Sequence, residues 1–365
     1  MFPWRVFTIV VLAAGAAAST PARAPAPAHT PRSASTSAFA STGPSPSSRL
    51  ELVTDEADAA LEIVALRARG ATIDESRWRR LFATEGYRRL KARETAMGRA
   101  FQDSAFRAFL LSDTLLARGP RLERTLREWK RVRLDAPASR ALAYLPAGAP
   151  LRARVYLLVK PHTNSFVFEA ATDPAIMLYL DPGRSAAELE NTIAHELHHI
   201  GYASGCAEPV EEAGTDSAVT AARQWISAFG EGVAMLAAAG GPDVHPHATS
   251  PRADRERWDR DLAEAPRDLA LVERFLLDIL EGRLTDPDST RMRGMAFFGV
   301  QGPWYTVGWL MATTIERTAG RRALVATLCD PPTILARYNE AAAASGRSDL
   351  PRWSDALLAR LSSRR

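Results

Sequence analysis

Apolar side chains between residues 51 and 133 recur every three to four positions, the spacing that gives a helix one buried face. The first such stretch begins near Glu56 and stops at Gly70. A second is predicted from Glu75 to Met97, with Trp78, Leu81, Phe82, Tyr87 and Leu90 on its apolar stripe. Two more carry Phe106, Phe109 and Leu110, then Leu122, Leu126 and Trp129. The period then shortens. Arg154–Lys160, Ser165–Glu169 and Ala175–Leu180 are rich in β-branched and aromatic residues and predict three strands; Pro161 ends the first and Asp181-Pro182-Gly183 turns the chain after the last. Ser185 and Glu188 make a capping-box pattern opening a helix that runs to about Tyr202. A further helix is predicted over 218–239, ended by Gly240-Gly241-Pro242. From about Arg260 the pattern is helical again, including 302–318 and 351–361. Helices, then a small sheet, then helices again describe an α+β chain.

The first 48 residues stand outside this pattern. Arg5, the apolar run Val6–Ala14 and the small residues Gly15–Ala18 have the order of a secretory signal peptide, expected to cover 1–18. The run is well short of the roughly 20 residues that span a bilayer, so no stable membrane insertion is expected after cleavage. Residues 19–48 are almost wholly Ala, Pro, Ser, Thr and Gly, too poor in apolar surface to offset the entropy of folding, and are expected to be a disordered linker. Residues 49–365 are expected to form the folded body, a helical part over 49–150 and a second part over 151–365. The predicted destination is secreted or periplasmic.

Charge changes the picture little. The formal charge is +4, and Arg5, Arg23 and Arg32 supply three of it within 1–48, leaving the body near +1. No basic stripe interleaved with aromatics points to nucleic acid. The two cysteines, Cys206 and Cys329, are compatible with one disulfide in an exported chain or with two separate buried thiols.

The candidate chemistry lies on the helix after the strands. His195 and His199 are four residues apart, which puts both imidazoles on one helix face within reach of a single Zn²⁺. Glu196, one position on, can take a proton from water at such an ion: this is the HExxH arrangement. His198 points to another face and is expected at the surface or behind the ligands. A catalytic zinc needs a third protein ligand. The longer motif HExxHxxGxxH is not met, because Gly201 is one place early and Cys206 stands near where a histidine would be needed. Glu231, in Phe229-Gly230-Glu231-Gly232-Val233-Ala234, is the preferred candidate: a carboxylate in an apolar helix is costly unless something compensates its charge. The flanking glycines would let that helix approach the histidine helix. Asp216 is the rival ligand.

His195-Glu196-Leu197-His198-His199 followed by Glu231 in Glu-Gly-Val-Ala resembles the gluzincins, HExxH peptidases whose third ligand is a glutamate on a second helix. More specifically, the chain is similar to the bacterial "putative zinc-dependent peptidase" proteins over about residues 50–365, on Ala194–His199, Gly230–Ala234 and Gly302–Glu316. The resemblance implies a zincin-like fold, with a small mixed sheet above the HExxH helix and a helical subdomain below it. It implies one zinc per chain on His195, His199 and Glu231, with Glu196 as base. Residues 200–230 make a longer separation between second and third ligands than in the best-known groups. The edge strand of such a sheet holds extended substrate by main-chain pairing.

The expected activity is hydrolysis of peptide bonds by metal-activated water, with Glu196 moving the proton and Tyr305, in Pro303–Gly308, as the donor to the oxyanion that related peptidases often take from a tyrosine. The expected partner is a peptide or protein substrate; exposed His162 beside the strands is a lesser candidate for contact with it. Two other classes remain open: a non-catalytic zinc-containing protein that binds peptide or cell-wall material, and a zinc amidohydrolase acting on a non-peptide amide. A structural protein with an accidental HExxH would purify without stoichiometric zinc.

Overall fold

The computed structural model describes residues 49–170, 172–206 and 216–362. The signal and linker segments predicted over 1–48 lie outside the described residues, as do residues 207–215 of the 200–230 segment. The described chain opens with a strand rather than a helix: β1 (Arg49–Val53) alternates exposed Arg49 and Glu51 with half-buried Leu50 and Leu52, a period of two too short to stand out beside the helical pattern that follows. The helix Asp55–Ala68 comes next and ends before Gly70, whose φ of +66° suits a residue without a β-carbon.

The stretch predicted as one helix over 75–97 is two, Glu75–Ala83 and Glu85–Ala96. Thr84 is extended between them, and its hydroxyl accepts from the Tyr87 amide. Asp55 accepts from the Glu85 amide at 2.7 Å, so a carboxylate thirty residues upstream holds the break open. Nothing in the local apolar spacing encodes that partner. The predicted helix over 218–239 is likewise divided, into Ser217–Ile226, a tight 3₁₀ turn at Ser227–Phe229, and Gly230–Ala239.

The three predicted strands appear as β2 (Arg152–Leu158), β3 (Phe166–Phe168) and β4 (Ala175–Tyr179). The sheet order is β1-β2-β4-β3, with β1, β2 and β4 parallel and β3 antiparallel at the edge. β4 is buried along its whole length, as a strand covered on both faces must be.

Two hydrophobic cores flank the helix Ala186–Gly205, here the histidine helix. The first joins the sheet and the N-terminal helices to its Leu189, Ile193, Leu197 and Ile200. The second is built by the C-terminal helices around Trp225, Phe229, Trp304, Trp309 and Trp353. Ser185 caps the histidine helix with the reciprocal Glu188 bond expected of a capping box. At its other end, Cys206 is bridged to Cys329, with Cα atoms 5.0 Å apart, tying the helix to the second core. Among the described residues no helix is long and apolar enough to cross a membrane.

Candidate metal centre

Three elements bring the donors together. His195 and His199 come from adjacent turns of the histidine helix, with ring centroids 4.7 Å apart. Glu231 comes from the first turn of the glutamate helix Gly230–Ala239, which packs against the histidine helix. Tyr305 comes from the tyrosine helix Pro303–Ala319, which packs against the glutamate helix. The glycines around Glu231 serve a contact other than the one expected. A β-carbon on Gly232 would lie 2.1 Å from the Trp309 amide nitrogen and 2.2 Å from the Gly308 carbonyl carbon, so Gly232 admits the tyrosine helix and not the histidine helix. A β-carbon on Gly230 would meet nothing within 4 Å.

The donor atoms converge. His195 Nε2 lies 3.1 Å from His199 Nε2, and Glu231 Oε2 lies 3.2 Å from the first and 3.4 Å from the second. Tetrahedral ligands about 2.0–2.1 Å from zinc are spaced about 3.3 Å from one another, so these three atoms already sit at the corners of such a site. Glu231 is 3 % exposed, and its neighbours are two imidazoles with no arginine among them. Burial pushes its carboxyl upward, but His199 and His195 outweigh that and hold it well below the usual range. It is a buried carboxylate held anionic, as a ligand to a metal ion would be. Among the described residues, this is the one such group of three metal-binding side chains.

Glu196 is fully buried, and neither carboxylate oxygen has a hydrogen-bond partner among the described residues. Burial raises its pKa to about 7, His195 opposing and Glu231 adding to the shift. An orphaned buried carboxylate is expensive in a finished core, and its place beside the cluster makes it a candidate for contact with water or substrate. The Tyr305 ring stacks on His195 with centroids 6.4 Å apart. Its burial, then the charges of Glu231 and Glu196, push the phenol well above its ordinary value of 10, so it remains a hydrogen-bond donor.

Other residues with predicted roles fall elsewhere. His198 is not at the surface: it is 1 % exposed and bonded through Nε2 to the Tyr144 carbonyl at 3.1 Å, which anchors the back of the histidine helix to the end of the N-terminal part. Asp216 is exposed and caps the helix Ser217–Ile226 by accepting from the Ala218 amide, outside the cluster. His162 is exposed in the loop between β2 and β3.

A cleft of about 120 Å³ opens onto His195 and Tyr305. Its walls include Asn191 and Thr192 from the histidine helix, His247 and Ser250, and Gln301 just before the tyrosine helix. The sequence reading missed His247 and Gln301. The one signal was His245-Pro246-His247, two histidines around a proline in a chain with only seven histidines.

No curated protein and no solved structure is significantly similar to the chain. A family model described as "Putative zinc dependent peptidase (DUF5700)" matches residues 78–346, a span that contains the whole cluster. Zinc is the metal that this description and the two-imidazole, one-carboxylate donor set both imply. The matched span covers well over half of the chain, and the protein belongs to the family that this description names.

Proposed function

We propose that the chain is an exported zinc-dependent peptidase that binds one zinc through His195, His199 and Glu231 and hydrolyses peptide bonds with Glu196 as general base. The observation that carries this reading is the fully buried, unpartnered Glu196 carboxylate one residue from the converging donors. When bound, zinc supplies a Lewis acid that polarises a carbonyl and acidifies water. The residues of the chain supply the rest. Glu196 accepts the proton of the attacking water and returns it to the departing amine; a raised pKa near neutrality suits a group that must do both. Tyr305, kept protonated, donates its phenol hydrogen to the oxyanion that develops on the attacked carbonyl. The surrounding burial keeps bulk water from competing with those bonds. Export is supported by the N-terminal pattern and by the Cys206–Cys329 bridge, which persists in oxidising compartments.

Profiling of cleaved peptides in a proteome digest, with and without a chelator, tests the reading. New termini that vanish with chelator and return with added zinc are expected. A protein that holds stoichiometric zinc yet generates no new termini would instead be a zinc-containing binding protein.

A further inference from the structure

The cleft beside the donors contains a residue in an uncommon backbone conformation. Gln301 has a φ of +62°, one of two non-glycine residues with positive φ among the described residues. A side chain with a β-carbon avoids that region, and such residues persist where a site requires them. Gln301 immediately precedes Gly302, whose carbonyl accepts from the Tyr305 amide at 2.8 Å in the first turn of the tyrosine helix.

Its side chain is oriented by a chain of hydrogen bonds. His247 Nε2 lies 2.9 Å from Gln301 Oε1, an atom that can only accept, so Nε2 carries the hydrogen and donates it. His247 Nδ1, 3.2 Å from Ser250 Oγ, is then the acceptor of the serine hydroxyl. Burial lowers the His247 pKa to about 4 despite the Gln301 bond, which keeps the ring in this neutral form. The segment is fixed in turn: Asn191 Nδ2, on the histidine helix, donates to the Pro246 carbonyl at 3.1 Å, and the His247 ring lies 5.5 Å from Trp258. With the Gln301 carbonyl turned to His247, its amide nitrogen keeps two hydrogens, and among the described residues no acceptor takes them. Both residues line the same cleft as His195 and Tyr305.

We propose that Gln301 is a substrate-binding residue, its side-chain amide donating to a main-chain carbonyl oxygen of the peptide in the cleft, and that His247 is the positioning residue that sets its direction. This rests on the peptidase reading. It adds to the Tyr305 side of the cleft a donor for extended peptide main chain, whatever the side chains.

The test uses the full chain carrying Glu196→Gln, zinc-loaded, so that peptide binds without being cut; the probe is a fluorophore-labelled pool of randomised decapeptides followed by anisotropy. Gln301→Gly removes the amide and relieves the positive φ, so binding is expected to weaken by about 3- to 10-fold while the melting temperature holds or rises. Gln301→Glu keeps the acceptor for His247 and replaces the donor with an anion, and is expected to weaken binding at least as much. His247→Phe is expected to reproduce the loss in part, since the amide is then free to turn. Unchanged affinity in both Gln301 variants overturns the inference alone, as does a loss of affinity that appears only with a matching fall in melting temperature. If the parent Glu196→Gln chain shows no saturable binding of the pool, the peptidase reading fails, and the inference with it.

Discussion

Glu196 and Glu231 are carboxylates buried within the same few ångströms, and their surroundings give them different tasks. Glu231 faces two imidazoles at 3.2 and 3.4 Å and is held anionic; Glu196 feels the charges of His195 and Glu231 but has no hydrogen-bond partner among the described residues. Glu196→Gln is therefore expected to keep its zinc and lose at least roughly 10²- to 10⁴-fold in turnover. Glu231→Gln is expected to lose most of the metal, because a neutral amide replaces an anionic ligand. Asp216→Asn is expected to keep metal and activity, since asparagine caps a helix about as well as aspartate. Zinc per chain after dialysis decides the matter: a metal-free Asp216→Asn beside a zinc-loaded Glu231→Gln would move the third ligand to the loop. His195, Glu196 and His199 were legible in the sequence because one helix carries them at fixed spacing. Glu231 was legible through its cost, an acid among apolar neighbours. The same argument did not single out Arg93. It is 1 % exposed, pairs with Glu94 at 2.6 Å and lies 3.8 Å over the Phe166 ring, and its partner ring is more than seventy positions away.

At the scale of elements, the crossing of the glutamate and tyrosine helices sets the position of Glu231 against Tyr305. Gly232 and Gly308 meet there backbone to backbone, and a β-carbon on Gly308 would come 2.6 Å from the Phe229 carbonyl oxygen. Backbone cannot swing aside as a side chain can. Gly232→Ala is expected to cost about 3 kcal/mol or more, the upper end for an overpacked core. Gly230→Ala, in a helical conformation with open space around it, is expected to be neutral or to stabilise by about 0.4–1 kcal/mol. Denaturant titration of the two variants checks both signs at once. If both destabilise alike, the close crossing is not what places the helix. The two glycines flanking Glu231 look equivalent in sequence; which of them faces a neighbour depends on a helix more than seventy residues later. The long predicted helices failed for a similar reason. Apolar spacing continues through Thr84 and through Ser227–Phe229, but the Asp55 carboxylate that breaks the backbone at Thr84 comes from elsewhere in the fold.

On the scale of the whole molecule, the histidine helix lies between two cores that are also joined covalently at its end. The bridge between Cys206 and Cys329 spans 123 positions, and a closed loop of that length is expected to contribute about 4–5 kcal/mol through the unfolded chain. Reduction should accordingly lower the melting temperature, read by calorimetry with and without a reductant that leaves the metal in place. Two thiols that alkylate without reductant in the native protein would remove the bridge. Zinc adds to the same total: at a hundred times its Kd it is expected to stabilise by about 2.7 kcal/mol. The α+β layout was readable from the change of period and the mixed sheet from the resemblance, whereas β1 was hidden because five residues of alternation abut a strong helical pattern. That overlooked strand sets a limit on trimming. β1 covers one side of β2, whose Val155–Leu158 run is fully buried. Without it, a seven-residue strand with an apolar Val155–Leu158 run becomes an open edge, a template for pairing with other copies. The signal cleavage expected near Ala18, and any clipping up to residue 48, would leave that cover in the chain. A chain beginning at Arg49 should therefore elute as the longer one does, and one beginning at Thr54 should scatter light and pellet. About thirty residues separate the expected signal cleavage point from β1, and a cut five residues past residue 48 is the one expected to open the β2 edge to other copies.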